Sequence, residues 1–331
     1  MSSLQKDLFN KSAASKLPPY LPREGDDHEE VIEEEDTFDA NSIAKKVYET
    51  PATKDNTGPI FVLHHGAGYS GLSFALCASN IRREMEGTAS ILAYDCRGHG
   101  FTRTSDDTNL SLDRLSEDLV NVVNLVYSKE ELKKHDIFLI GHSMGGCVVA
   151  HAASKRLLPS VTCVAVLDVV EGSAMEALSG MHDYLRNRPD EFRSVEHAIE
   201  WNVKSGTIHN LASAKISVPS LVIEEIDQSG AKKYVWRTKL EATQQYWEEW
   251  FKGMSEKFLS ANAAKLLILA GTDRLDKPLT IAQMQGKYQL HVMPEAGHML
   301  QEDAPDRTAT ALVDFFTRNE RLVLPVKKLT L

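Results

Sequence analysis

The sequence lacks several patterns that would assign it to common classes of protein. It contains no run of about 18 apolar residues, the length that a membrane-spanning helix requires. The phosphate-binding pattern GxxxxGK[ST] does not occur, and no HExxH or comparable spacing of metal ligands is present. We therefore expect no nucleotide cofactor, no catalytic metal and no membrane partner.

Cysteine is scarce, with four residues and no CxxC pair. This spacing indicates neither a disulfide framework nor a metal site. Cys96, Cys147 and Cys163 lie in apolar stretches, so we predict buried, reduced thiols. The first 20 residues contain no apolar segment typical of a secretory signal. These features predict a cytoplasmic or nuclear protein.

Acidic residues outnumber basic ones by 47 to 37, which gives a formal net charge of −10. A negative protein is a poor partner for nucleic acid, and we expect none. Much of the acidity lies in residues 24–36, within a segment of unusual composition. We predict that residues 1–40 form a solvated, disordered tail. The alternative is a docking segment for a basic surface of a partner.

From residue 60 onward, short apolar runs alternate with segments of helical periodicity. This alternation predicts an α/β protein with a mostly parallel central sheet and helices on both faces. The alternation breaks after the run 161–168, in a stretch that holds all four tryptophans. We predict a helical cap there, in which the tryptophans pack rather than contact substrate. The predicted division is a core of residues 41–171 and 261–331, with a cap of residues 172–260.

The most informative motif is the GxSxG sequence of residues 141–145, which follows a predicted strand and precedes a predicted helix. In this context the motif indicates the nucleophile elbow of an α/β-hydrolase fold, with Ser143 as the nucleophile. Serine needs a base at neutral pH. The order of triad residues in this fold favours His298, which follows the last predicted strand. We expect His142 to pack beneath the turn and His99 to be structural.

Two aspartates could orient the imidazole of His298, because each follows a predicted strand. They are Asp168 and Asp273, and chain order alone favours Asp273. The oxyanion hole requires two backbone N–H groups. Met144 follows the nucleophile, and Ala67 lies in the glycine-rich loop after the first buried strand. We predict that these two residues supply the donors.

Several longer segments make the chain similar to the protein phosphatase methylesterases. The segments are LDVVEGSAMEAL (167–178), AIEWNVKSG (198–206), YWEEWFKGMSEKFLS (246–260), LLILAGTDRLDKPLTIAQMQGKYQ (266–289) and AGHMLQEDAPD (296–306). The similarity extends from about residue 58 to 318. It does not include the first 50 residues, and the stretch 215–233 is short where some relatives carry an acidic insertion.

This resemblance implies a more specific reading of the site. In that family the acid follows the sixth strand, which implies Asp168 here rather than Asp273. The resemblance also implies a substrate, the methyl ester on the C-terminal leucine of the protein phosphatase 2A catalytic subunit, which would be a stable partner as well. The elbow alone is equally consistent with a general small-molecule carboxylesterase, and a phosphatase-binding inhibitory scaffold is a third hypothesis.

The two candidate acids can be distinguished by labelling Ser143 with a fluorophosphonate. We expect Asp168→Asn to lose labelling, because the imidazole would lack the carboxylate that sets its tautomer. Asp273→Asn should retain labelling and serves as the matched control. The reverse pattern would identify Asp273 as the acid.

Overall fold

A seven-stranded sheet forms the central layer of the computed structural model, which describes residues 46–53, 58–226, 230–271 and 275–320. The strands of the described chain are β1 (Val47–Thr50), β2 (Ile60–His64), β3 (Ser90–Tyr94), β4 (Ile137–His142), β5 (Val161–Leu167), β6 (Glu191–Phe192), β7 (Val222–Ile226), β8 (Lys232–Trp236), β9 (Ala264–Leu269) and β10 (Gln289–Val292). The order in the central sheet is β1-β3-β2-β4-β5-β9-β10, and only β1 runs antiparallel to its neighbour.

Helices cover both faces of this sheet, as expected for parallel strands that are apolar along their whole length. All residues of β2, β3 and β4 are buried. The helices are α1 (Ala75–Glu84), α2 (Leu112–Val126), α3 (Lys129–Lys134), α4 (Met144–Ser154), α5 (Glu171–Arg186), α6 (Val195–Lys204), α7 (Leu211–Ser217), α8 (Gln244–Phe251), α9 (Met254–Ser260), α10 (Lys277–Met284), α11 (Leu300–Asp303) and α12 (Pro305–Asn319). Three short 3₁₀ turns accompany them at 71–74, 218–221 and 240–243.

Alternate residues of each central strand enter two separate hydrophobic cores. Phe61 and Phe138 point toward α1 and α12, where they contact Phe316. Val62 and Leu139 belong to the opposite core, which contains the apolar faces of α2 and α4. Helix α2 turns an apolar face to this core, since Leu112, Leu115, Leu119, Val122 and Val123 are all buried. The four cysteines are free and buried.

The predicted α/β class and mostly parallel sheet are confirmed. The antiparallel edge strand β1 and the short helix α3 were not predicted. The strand before the cap is the fifth in the described chain, whereas the family resemblance implied the sixth. No helix in the described ranges has the length and apolarity needed to cross a membrane. The predicted tail of residues 1–40 lies outside the described residues.

The segment between β5 and β9 contains the predicted helices and also a three-stranded antiparallel sheet. The sheet has the order β6-β8-β7 and packs on a small core that includes Phe192, Ala198 and Val218. The sequence did not indicate this sheet because β6 has two residues and four of the five residues of β7 are exposed. Helices α8 and α9 pack into the main core. The division at residues 172 and 260 stays a prediction.

A buried carboxyl group joins the cap to the segment that follows His298. Glu302 in α11 is 1% exposed. Its Oε1 accepts a hydrogen bond from the Ser217 hydroxyl, and the Ser213 hydroxyl donates to its backbone carbonyl at 2.7 Å. Oε2 has no partner among the described residues. Burial raises the pKa of Glu302 to about 8, so the native protein holds this group protonated at neutral pH.

The raised pKa of Glu302 predicts that the free energy of unfolding falls as the pH rises from about 4.5 to about 8. In that window the native state retains a proton that the unfolded chain releases, so the slope of stability against pH is negative and approaches ~1.4 kcal/mol per pH unit. Glu302→Gln should flatten the curve measured by urea unfolding. Glu130→Gln, at a side chain 74% exposed, is the control. Parallel curves for wild type and Glu302→Gln would contradict the assignment.

Candidate active site

Ser143 occupies a sharp turn between β4 and α4. Its backbone has φ 52° and ψ −121°, a conformation that a residue other than glycine adopts only when its surroundings impose it. The N–H of Ser143 donates to the Leu167 carbonyl oxygen at 3.0 Å, and its own carbonyl accepts the Gly146 N–H at 2.8 Å. Strand β5 and helix α4 therefore hold the turn from both sides, as a nucleophile elbow requires.

The two glycines of the motif are required by backbone contacts rather than by their own flexibility. A Cβ on Gly141 would lie 2.1 Å from the Gly145 carbonyl oxygen. A Cβ on Gly145 would lie 2.3 Å from the His64 carbonyl oxygen and 2.5 Å from that of His65. Because these atoms belong to the backbone, no side-chain movement would relieve the overlap. Helix α4 can approach the ends of β2 and β4 only with hydrogen at both positions.

His298 and Asp168 form a hydrogen-bonded pair beside this turn. The Nδ1 of His298 lies 2.8 Å from Asp168 Oδ2. Asp168 follows β5, has a positive φ of 50° and is 1% exposed. Its Oδ1 accepts the Ala270 N–H at 2.9 Å, which fixes the carboxylate against the end of β9. Donation from Nδ1 leaves Nε2 of His298 as the nitrogen able to accept a proton. The other candidate acid, Asp273, lies outside the described residues.

His142 lies beneath His298 rather than simply under the turn. Its ring centroid is 4.7 Å from that of His298, and its Nε2–H donates to the His298 carbonyl oxygen at 2.8 Å. Burial, and after it the neighbouring His298, lower the pKa of His142 to about 3, so His142 stays neutral. His99 is fully buried against Cys96, with Nδ1 3.2 Å from the sulfur. It is not among the residues that line the cavity described below.

The predicted oxyanion loop is held by a neutral histidine. His65 Nδ1–H donates to the Gly66 carbonyl at 2.8 Å, and His65 Nε2 accepts the Cys96 N–H at 2.9 Å. Burial holds the pKa of His65 well below its usual value, so a single tautomer satisfies both bonds. A Cβ on Gly66 would lie 3.2 Å from Ser143 Cβ, which shows how closely the loop passes the nucleophile. Ala67 is the next residue along this loop.

The same loop contains a motif that sequence analysis missed. Residues 66–71 read G-x-G-x-x-G and follow a strand, which is the spacing of a dinucleotide-binding fingerprint. A Cβ on Gly68 would lie 2.9 Å from the side chain of Leu240. The cap therefore covers the glycine face that would have to approach a pyrophosphate.

A cavity of about 590 Å³ lies between the sheet and the cap and brings the predicted residues together. Ser143, His298, Ala67 and Met144 all line it. All four tryptophans contribute to its wall: Trp201, Trp236, Trp247 and Trp250. The prediction that they pack rather than face a ligand was therefore incomplete. Trp247 and Trp250 are buried in the core while also forming part of the wall.

The polar residues of the cavity wall that were not identified from the sequence include Tyr69 and Arg188. Tyr69 lies inside the G-x-G-x-x-G loop, and Arg188 follows α5 in the cap. Arg188 belongs to no recognisable motif. Only the folding of the cap over the sheet places Arg188 on the same cavity as Ser143, so no local pattern could have revealed it.

The fold and the site agree with comparisons to known proteins. Residues 61–311 match the model of the alpha/beta hydrolase family. Solved structures with the same fold include E-2-(acetamidomethylene)succinate hydrolase, with a TM-score of 0.65, 17% identity and coverage of 84% of this chain and 97% of that one. A peroxisomal α/β-hydrolase of Saccharomyces cerevisiae gives a TM-score of 0.64 at 14% identity, covering 83% and 81% of the two chains. The chain is thus a serine hydrolase of the α/β-hydrolase class.

Sequence relatives are more specific about the family. Protein phosphatase methylesterase 1 of Aspergillus oryzae is 54% identical over 303 residues, which cover 87% of this chain and 70% of that protein. The Schizosaccharomyces pombe protein of the same name is 46% identical, covering 82% and 78%. The Bos taurus protein is 42% identical, covering 79% and 78%. The chain belongs to the protein phosphatase methylesterase family.

The backbone contacts of Gly145 predict that Gly145→Ala abolishes the geometry of the elbow. Because a displacement of about 1 Å can cost ~100-fold in rate, we expect at least that loss in the rate of fluorophosphonate labelling. Gly180→Ala is the control, since a Cβ there meets nothing within 4 Å and the residue lies inside helix α5. It should remain labelled and gain up to ~1 kcal/mol in stability. Normal labelling of Gly145→Ala would show that the backbone contact is not required.

Proposed function

We propose that this chain hydrolyses the methyl ester on the C-terminal leucine of the protein phosphatase 2A catalytic subunit. The observation that carries the proposal is the position of Ser143 and His298 on one largely apolar cavity, in a chain 42–54% identical to proteins named protein phosphatase methylesterase 1. A cavity of about 590 Å³ has room for an apolar side chain together with the adjoining ester.

The proposed chemistry is acyl transfer to serine. Ser143 Oγ attacks the ester carbonyl carbon while His298 Nε2 takes the hydroxyl proton. The N–H groups of Ala67 and Met144 stabilise the oxyanion. As the tetrahedral intermediate collapses, the bond to the methoxy oxygen breaks and His298 gives its proton to that oxygen, which releases methanol. Water then attacks the acyl enzyme, again with His298 as base, to release the free carboxylate and restore Ser143.

Asp168 is the proposed orienting acid. The 2.8 Å contact to Nδ1 and the burial of the carboxylate support this role, because a desolvated carboxylate stabilises the imidazolium that forms during attack. A second buried partner, His142, holds the His298 backbone carbonyl. The imidazole is therefore constrained through both its ring and its main chain.

A general small-molecule carboxylesterase is the alternative function, and the apolar wall of the cavity favours it to the same degree. We also propose that the phosphatase is a stable binding partner of this chain. Binding to the phosphatase would then persist in a variant that lacks catalysis. We further propose a cytoplasmic or nuclear location, which the four free, buried cysteines support.

The test uses methylated, purified phosphatase 2A and p-nitrophenyl butyrate as parallel substrates. We expect wild type to remove the methyl group and release methanol, and Ser143→Ala to lose at least ~10⁴-fold in rate on both substrates. Retention of Ser143→Ala on immobilised phosphatase would support a stable complex. Cleavage of the small ester without demethylation of the phosphatase would reject the proposed substrate in favour of the general carboxylesterase.

A further inference from the structure

Arg188 places a positive charge in the wall of an otherwise mostly apolar cavity. Its side chain is 9% exposed, and the guanidinium lies over the ring of Trp236 at 4.5 Å from the centroid. The nearest carboxylate oxygen, Glu241 Oε1, is 3.7 Å from Nη2, and the Glu241 side chain is 61% exposed. The contact with the Trp236 ring and the long ion pair with Glu241 hold the guanidinium of Arg188 in place. Neither contact uses its N–H groups in a hydrogen bond.

No guanidinium nitrogen of Arg188 donates a hydrogen bond to a residue that the structure describes. Its Nε is enclosed and has no partner in the described ranges. Since Nε is enclosed and Nη2 is directed at Glu241, Nη1 is the nitrogen best placed to meet an incoming group. A guanidinium carries five N–H donors, and leaving them unpaired in a buried position is costly.

Arg97, a buried arginine of the described chain, shows how the fold satisfies such a group. Arg97 is 2% exposed, and its Nε and Nη2 donate to the two carboxylate oxygens of Asp118 at 2.6 and 2.9 Å. Its Nη1 donates to the Asp106 carbonyl at 2.6 Å. Arg97 is therefore saturated by the protein itself, whereas Arg188 is not. This contrast leaves the guanidinium of Arg188 without an acceptor among the described residues, so a ligand of the cavity can supply one.

We propose that Arg188 is a specificity-determining residue that donates a hydrogen bond to an oxygen acceptor on the acyl part of the substrate. This inference rests on the proposed function, in which the bond that breaks is a methyl ester. The methyl group offers no acceptor, and the esterified terminus carries no charge. The acceptor is therefore an oxygen further along the acyl chain, either a main-chain carbonyl or an acidic side chain. Both present the same carbonyl-type oxygen to a guanidinium.

The role differs from that of the catalytic residues. Arg188 contacts the substrate away from the reacting carbonyl, so its loss should weaken binding of substrates that carry the acceptor and spare those that lack it. A site built around a hydrogen bond discriminates strongly against analogues that cannot make it, because its own donor is then left unpaired.

The experiment compares two small methyl esters that share the 4-methylpentanoyl chain. N-acetylleucine methyl ester carries an amide carbonyl next to the ester, and methyl 4-methylpentanoate lacks it. If the acceptor is a main-chain carbonyl, we expect Arg188→Met to lower kcat/KM for the first ester by about 10- to 100-fold, mainly through KM. If the acceptor is an acidic side chain, the loss appears instead on an ester with an aspartyl residue before the leucine. The second ester should change by no more than about twofold, because it offers Arg188 no acceptor beyond the ester group. Arg188→Lys should recover part of the loss, because it restores a charged donor.

Arg186→Met is the matched control. Arg186 ends the same helix, but its side chain is 76% exposed and pairs with Asp183, so both esters should be unaffected. Fluorophosphonate labelling and thermal unfolding of Arg188→Met show whether the elbow and the fold remain intact. Equal losses on both esters would overturn the proposal, since they would show that Arg188 only supports the cavity.

A pair of dipeptide esters separates the two sources of the acceptor. N-acetyl-Asp-Leu methyl ester and N-acetyl-Ala-Leu methyl ester share their main-chain carbonyls, and only the first carries an acidic side chain. A loss confined to the aspartyl ester in Arg188→Met would assign the contact to an acidic side chain. Equal losses on both dipeptides would assign it to a main-chain carbonyl. If phosphatase demethylation fails while these differences persist, the proposed substrate is rejected and the role of Arg188 stands.

Discussion

The contact between α4 and the ends of β2 and β4 is the constraint on which the rest of the site depends. With hydrogen atoms at Gly141 and Gly145, the helix N-terminus reaches the carbonyl groups of His64 and His65. That approach forces Ser143 into its positive-φ turn. It also brings the Gly66 loop within van der Waals distance of the serine. The nucleophile and the oxyanion loop are therefore positioned by the same contact between α4 and the ends of β2 and β4.

Burial gives the histidines of this region separate tasks. His64, His65, His99 and His142 are all buried, and burial lowers the pKa of each imidazole. The pKa falls to about 4 for His64 and His99, to about 3 for His142, and well below the usual value for His65. They remain neutral and act as fixed donors and acceptors that shape the loop and support His298. His298 is 48% exposed and lies on the cavity, where it can exchange protons with a substrate. Solvent access thus distinguishes His298, the proposed catalytic base, from the four buried histidines.

The sequence predicted the parallel strands of the central sheet well because most of them are apolar runs ended by a glycine-rich or charged turn. Ser143 and His298 could be identified from the sequence for the same reason, since each follows such a run. Chain order favoured Asp273, and only the family resemblance favoured Asp168, which the structure joins to His298. The cap sheet escaped prediction because the exposed Glu224 and Glu225 conceal the strand pattern of β7. Arg188 escaped because its importance comes from a convergence of distant segments.

The cap is inserted between two neighbouring strands of the central sheet. It leaves the sheet after β5 and returns at β9, and these two strands are direct neighbours that pair from Cys163–Ala264 to Leu167–Ile268. The insertion therefore occupies what is otherwise a single crossover connection, and both of its attachment points lie on one pair of strands. Lengthening or rebuilding it leaves every backbone pairing of the sheet unchanged. Evolution can thus alter which acyl group is admitted while the hydrolytic apparatus below is inherited intact.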